Sequence, residues 1–202
     1  MTSIPHRAPP LPPDERRAAL IASTLSLVLA HGPDVSTRQI ARAAGVAEGT
    51  IFRVFATKDE LVNAAVSSAF DPAPLLAELR AVDGAAPLED RLIAAVEIMQ
   101  RHTRRIFGLM NALGAAGAAE AERTHRQRME HAELTHRAIA DLIVPDRDRL
   151  RCEPGGAAQR LKLLTIASGH PAFDEKDPMS PADIVSLLLD GIRRRPDPGP
   201  RP

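Results

Sequence analysis

Glu48, Gly49, Thr50 and Arg53 fall within one short stretch, and their chemistry suits the edges of nucleic-acid bases. A carboxylate accepts hydrogen bonds, a hydroxyl donates or accepts, a guanidinium donates a fork of N–H groups, and glycine admits close backbone approach. Other residues invite different chemistry. His125, His131 and His136 share one expected helix, but spacings of six and five do not put two metal ligands on one face as a gap of four would, and no carboxylate–histidine motif accompanies them. They read as surface or partly buried histidines, and no metal or cofactor is expected. Cys152 beside Arg149 and Arg151 reads as an incidental thiol. Gly155 and Gly156 do not form a phosphate loop. The chain is therefore read as a non-enzyme.

The elements that hold Glu48 to Arg53 are specified by caps and small residues. Ser36 followed three positions later by Gln39 is a capping box, so a helix begins at Thr37. Ile40 faces the core. Ala41 lies where a second helix crosses, Gly45 supplies the left-handed turn, and Val46 and Ile51 complete a small core. Two short helices crossing steeply at a tight turn make a helix-turn-helix, whose second helix can put its N-terminal residues against base edges in the major groove.

The whole stretch Asp34 to Leu61, DVSTRQIARAAGVAEGTIFRVFATKDEL, resembles the DNA-binding signature of the TetR family of transcriptional regulators. Its IA-x-x-AGV, GT-[IL], aromatic-R-x-F and K-[DE]-EL elements carry the likeness. The resemblance implies phosphate contacts from Ser36, Thr37 and Arg38, a recognition helix over Ala47 to Val54 with Glu48, Gly49 and Thr50 toward bases, Arg53 toward bases or backbone, and a phosphate contact from Lys58. The sequence departs from the family at four positions. Ala47 stands where Ser or Thr often caps, Glu48 where a basic or neutral polar residue is common, Phe52 where a Tyr hydroxyl would meet phosphate, and Val54 where Tyr or His is frequent. Glu48 disfavours phosphate but can accept from a cytosine amino group.

Around this segment the periodicity is helical throughout, with no alternating strand pattern, so the class is all-α. Asp14 to His31 forms a helix ended by Gly32-Pro33, and Thr57 to Glu60 is a capping box opening a helix to about Phe70. Pro72 and Pro74 precede Leu75 to Val82. A long helix follows Pro87 on a 4-3-4 pattern through Leu113, and a second runs from about Ala118 to Val144. Two last helices span about Gly156 to Ser168 and Pro181 to Arg194. The final one is apolar almost all round and so must be buried on two sides.

These elements divide the chain into a Pro-rich disordered tail at 1–13, a three-helix helix-turn-helix DNA-binding domain at 14–60, a larger helical effector-binding and dimerisation domain at 61–195, and a disordered tail at 196–202. The family resemblance implies a homodimer through the last two helices, with Leu161, Leu164, Ile184, Leu187, Leu188 and Ile192 at its interface. It also implies a small-molecule effector among the middle helices, where Met99, His102, Thr103, Ile106, Phe107 and Met110 combine pliable apolar and polar groups. The partners expected are thus double-stranded operator DNA, an effector of unassigned identity and a second copy of the chain.

Composition bounds these readings. The 202 residues carry 26 Lys and Arg against 26 Asp and Glu, so the chain does not coat nucleic acid by net charge. From Met1 to Lys58, however, seven basic residues face four acids. No apolar run reaches the roughly 18 residues a bilayer crossing needs, and a single cysteine permits no internal disulfide, which together suggest the cytoplasm. The rival reading is a helical small-molecule-binding or catalytic bundle in which the hairpin is architectural; loss or retention of DNA affinity separates the two.

Overall fold

The computed structural model describes residues 12–114, 125–170 and 179–193. Its helices are α1 (Pro13–His31), α2 (Thr37–Ala43), α3 (Glu48–Ile51), α4 (Lys58–Ser68), α5 (Ala73–Arg80), α6 (Leu88–Leu113), α7 (His125–Ile143), a 3-10 turn (Val144–Arg149), α8 (Pro154–Ser168) and α9 (Pro181–Ile192). No β-strand occurs among the described residues beyond a single antiparallel bridge between Leu150 and Arg193. The fold class is all-α, as the periodicity implies. The expected tails fall outside the described residues except for Pro12 and Pro13, and Pro13 occupies the first turn of α1, where its missing N–H costs nothing. The start of α7 expected near Ala118 also lies outside them.

The described chain forms two compact units. The first runs through Phe70 and is joined by the end of α6 from Asn111; the second begins at Asp71 and takes the rest of α6 together with α7, α8 and α9. Helix α4 thus lies whole in the first unit, past the boundary at 60 that the motif alone implies. Its apolar stripe of Leu61, Val62, Ala65 and Val66 is buried, and its hydrophobic face closes the core begun by Leu20, Leu25 and Val28 of α1.

Local chemistry fixes that small unit. The Ser36 hydroxyl accepts from the Gln39 N–H at 3.2 Å, and the Gln39 side chain accepts from the Ser36 N–H at 2.9 Å, so both box bonds form. The Thr57 hydroxyl accepts from the Glu60 N–H at 3.1 Å, but the Glu60 carboxylate reaches one residue further back than the usual box, to the Ala56 N–H at 2.8 Å. Ile40 and Ile51 are fully buried and Ala41 nearly so, while Val46 is only half-buried. The Arg17 guanidinium lies 4.3 Å from the centre of the buried Phe55 ring, a cation–π contact tying the start of α1 to the segment after α3.

Gly45 turns the chain between α2 and α3 at φ +66°, with nothing within 4 Å of where a Cβ would stand. A side chain there meets no clash, only the left-handed backbone penalty. Gly45→Ala is therefore expected to destabilise the chain by about 1–2 kcal/mol, read as a lowered denaturation midpoint. Gly49→Ala, at an ordinary helical φ and equally free of neighbours, should be neutral or stabilising. Equal losses at both positions would mean that the turn conformation is not what Gly45 supplies.

In the second unit, α5 to α9 share a core of Leu79, Leu92, Val96, Ile139, Ile143, Leu161, Ile184 and Val185, among others. At its edge Arg91 is buried, with 4% of its side chain exposed, and ion-pairs with Asp146. Its Nε donates to the Leu142 carbonyl at 3.0 Å, and one Nη donates to the carbonyls of Ala86 at 2.6 Å and Gly84 at 3.2 Å. One guanidinium thereby ties the loop before α6 to the end of α7.

Candidate nucleic-acid interface

Helix α3 is shorter than the span Ala47 to Val54 implied by the signature. Only Glu48 to Ile51 is α-helical; Ala47 is its N-cap and offers no side-chain bond. Beyond Ile51 the chain continues in tighter turns, with the N–H of Arg53 on the Thr50 carbonyl at 3.3 Å and that of Val54 on Ile51 at 2.9 Å. The helix starts directly after Ala47, whose methyl leaves the first-turn N–H groups without a side-chain oxygen, and it is the C-terminal part of the expected span, Phe52 to Val54, that leaves α geometry.

This segment is anchored by one residue and otherwise turned outward. Ile51 is wholly buried, whereas Ala47, Glu48, Gly49, Phe52 and Arg53 are exposed and Thr50 is half-exposed. Phe52 leaves 53% of its surface to solvent, an unusual placement for a large apolar ring. Ser36 and Arg38 are exposed at the start of α2, Thr37 is partly exposed there, and Lys58 is partly exposed at the start of α4. All ten expected contact residues therefore reach the surface of one unit.

Several cations of this unit are not ion-paired within the described residues. Arg38, Arg42, Arg53 and Lys58 make no ion pair with the described residues, while two neighbouring carboxylates are engaged otherwise: Glu60 on the Ala56 N–H, and Glu48 on the Thr37 hydroxyl. Guanidinium and ammonium groups without an ion pair among the described residues are cationic donors for phosphate oxygens. Arg42, outside the signature's contact set, joins them through its position on the exposed side of α2; its basic character was legible, its place was not.

Residues 20–65 match the family model described as "Bacterial regulatory proteins, tetR family". This segment carries the N-terminal domain of the TetR family of bacterial regulatory proteins. The TetR match runs from within α1 to within α4. Similar solved structures cover nearly the whole chain. A transcriptional regulator from a Rhodococcus species is 20% identical, with 89% of this chain and 99% of that one covered and a TM-score of 0.59. A TetR regulator from Streptomyces coelicolor is 22% identical over 88% and 98%, with a TM-score of 0.57. NalD, the secondary repressor of the MexAB-OprM multidrug efflux pump in Pseudomonas aeruginosa, is 23% identical over 91% and 99%, at 0.54. At these identities the likeness extends the TetR fold to the second unit without assigning its ligands.

Within that second unit, Met99 is buried and His102, Thr103, Ile106, Phe107 and Met110 are partly buried along α6. Two of them meet the end of α8: the Phe107 ring stands edge-on to His170 with centroids 4.8 Å apart, and Thr103 Cγ2 lies 3.7 Å from where a Cβ on Gly169 would be. His102 is held below the ordinary histidine pKa, first by burial and then by Arg105, against an opposing pull from Glu78. A cleft of about 560 Å³ opens instead along Glu97, Gln100, Arg101 and Arg104 with Pro181, and takes none of the six.

The expected interface set also divides. Leu161, Ile184, Leu188 and Ile192 are buried inside the protomer, where they build its core; Leu164 is half-buried and Leu187 exposed. The large apolar residues that α8 and α9 do leave outside are Leu163, Ile166 and Leu187. The described residues hold no group of three potential metal ligands, and no helix among them is long and apolar enough to cross a membrane.

Proposed function

We propose that the chain is a ligand-responsive repressor that binds a palindromic operator as a homodimer and is released by a small-molecule effector. The observation that carries the DNA half is the outward-turned segment Glu48 to Arg53, on a unit matched to the family model, where Arg38, Arg42, Arg53 and Lys58 make no ion pair with the described residues. Two such segments in a symmetric dimer would meet successive major grooves about 34–36 Å apart, which makes the operator a palindrome. Release follows if the effector binds the free form more tightly than the DNA-bound form, since coupling works only through differential affinity. NalD, a repressor of the same fold, supports the direction of regulation. A fragment from upstream of the chain's own gene is expected to shift in a low-salt gel assay and to be freed by the effector. No retention of DNA at low salt would leave the helix-turn-helix a purely architectural hairpin.

The dimer half rests on the exposed apolar residues of α8 and α9. Leu163 and Leu187 leave 56% and 55% of their surfaces to water, side chains whose burial is worth about 1.5–3 kcal/mol each. Leu163→Glu combined with Leu187→Glu is expected to convert the dimer to monomer in sedimentation at micromolar concentration while the helical circular-dichroism signal persists. A double variant that still sediments as a dimer would place the interface elsewhere.

A further inference from the structure

We propose that Thr37 is a positioning residue that holds the Glu48 carboxylate as an acceptor for the exocyclic amino group of a cytosine in the major groove of the operator. The inference rests on the DNA-binding reading above and adds to it one base preference and the pair of residues that sets it.

The Thr37 hydroxyl, in the first turn of α2, donates to Oε1 of Glu48, the first residue of α3. The two residues lie on opposite sides of the Gly45 turn, so the bond braces one helix of the motif against the other. Glu48 is exposed, and an exposed glutamate ordinarily samples many rotamers, losing that freedom when it binds. Here one oxygen is already held, and Oε2 has no hydrogen-bond partner or ion pair among the described residues, although Arg38, Arg42 and Arg53 belong to the same unit.

Two consequences follow from donors and acceptors alone. The Thr37 proton is committed to Glu48, so the hydroxyl has only lone pairs left for a phosphate, itself an acceptor. Thr37 therefore serves the carboxylate and not the phosphate contact its family position implies. Glu48, for its part, is acceptor-only and negatively charged, which phosphates and the acceptor edges of guanine and thymine repel. The donors in the major groove are the amino groups of cytosine and adenine. Adenine's amino group is flanked by its own N7 and by the O4 of its paired thymine, two acceptors; cytosine's has an acceptor only on the paired guanine, with a C–H on its other side. The carboxylate fits cytosine better.

The test is selection of bound sequences from a random DNA pool by the full chain and three variants. The wild type is expected to enrich cytosine at one position of each half-site roughly tenfold. Glu48→Gln should move that position toward adenine, which an amide pairs bidentately, and leave the other positions unchanged. Thr37→Val should weaken the cytosine preference severalfold with the remaining positions intact, and Thr37→Ser should restore it. An unchanged cytosine position in Glu48→Gln, or a flattening of every position together, would overturn the inference while leaving DNA binding in place. Failure of the wild type to enrich any sequence would remove the DNA-binding reading, and this inference with it.

Discussion

Arg91→Met is expected to lower the stability of the chain by about 3 kcal/mol, the lower end of what breaking one side of a buried ion pair costs. The lower end applies because Asp146 keeps a second partner, Arg149, at 2.7 Å, although Arg149 is itself largely exposed. What Arg149 cannot replace is the tie to Gly84, Ala86 and Leu142, whose carbonyls lose a charged donor. In urea denaturation, a companion Asp146→Leu change should recover the part of the loss that comes from the unmatched carboxylate, while the part from the three carbonyls remains. The pair also carries a pH dependence. Burial works to raise the Asp146 pKa, but hydrogen bonds and charge from Arg91 and Arg149 outweigh it, so the carboxyl sits below the ordinary aspartate range. A lowered folded-state pKa gives stability that is present above the unfolded value near about 3.9 and lost as pH falls through the lower folded value. The gap between wild type and Arg91→Met should therefore narrow on acidification below about pH 4. A gap of constant size through that range would assign the loss to packing and not to the ion pair.

Arg91 also marks the limit of what the sequence discloses. A charged residue beside Leu92 at the start of an amphipathic helix reads as solvent-facing, and its partner lies in the turn after α7, beyond any short-range spacing rule. The same is true of Thr37 and Glu48, joined across a turn by a bond that no local motif encodes. What was legible is what local chemistry decides: the Ser36–Gln39 box, the left-handed Gly45, the small Ala41 at the helix crossing and the burial of Ile40 and Ile51. The length of the recognition segment was not: the helix starts after Ala47 as expected but ends at Ile51, and no short-range signal marks that end. For α9, apolar on nearly every side, the pattern required two-sided burial but did not by itself say which side faces inward. Asp183, Ser186 and Asp190 trace the exposed stripe, and Leu187 sits within it, while Ile184, Leu188 and Ile192 turn to the core.

The largest effect on DNA affinity is expected from the cations that specify nothing. Arg38→Ala and Lys58→Ala should each weaken binding to operator and random duplex by the same factor, because a phosphate contact carries no base information. Counterion release makes the logarithm of affinity fall with the logarithm of salt concentration by about 0.9 per phosphate neutralised. In a dimer each substitution removes two contacts, so the slope should flatten by about 1.8. Between 50 and 200 mM salt, each variant should then lose about twelvefold less affinity than the wild type loses. Both side chains make no ion pair with the described residues, so neither has to break an internal bond before it meets the backbone, and neither removal should disturb the core around Ile40 and Leu61. Fluorescence anisotropy over a salt series reads slope and affinity together. An unchanged slope in both variants, with folding intact, would mean that α2 and α4 do not approach the phosphates. A loss confined to the operator would instead mean that these residues read bases, leaving the electrostatic attraction to Arg42 and Arg53.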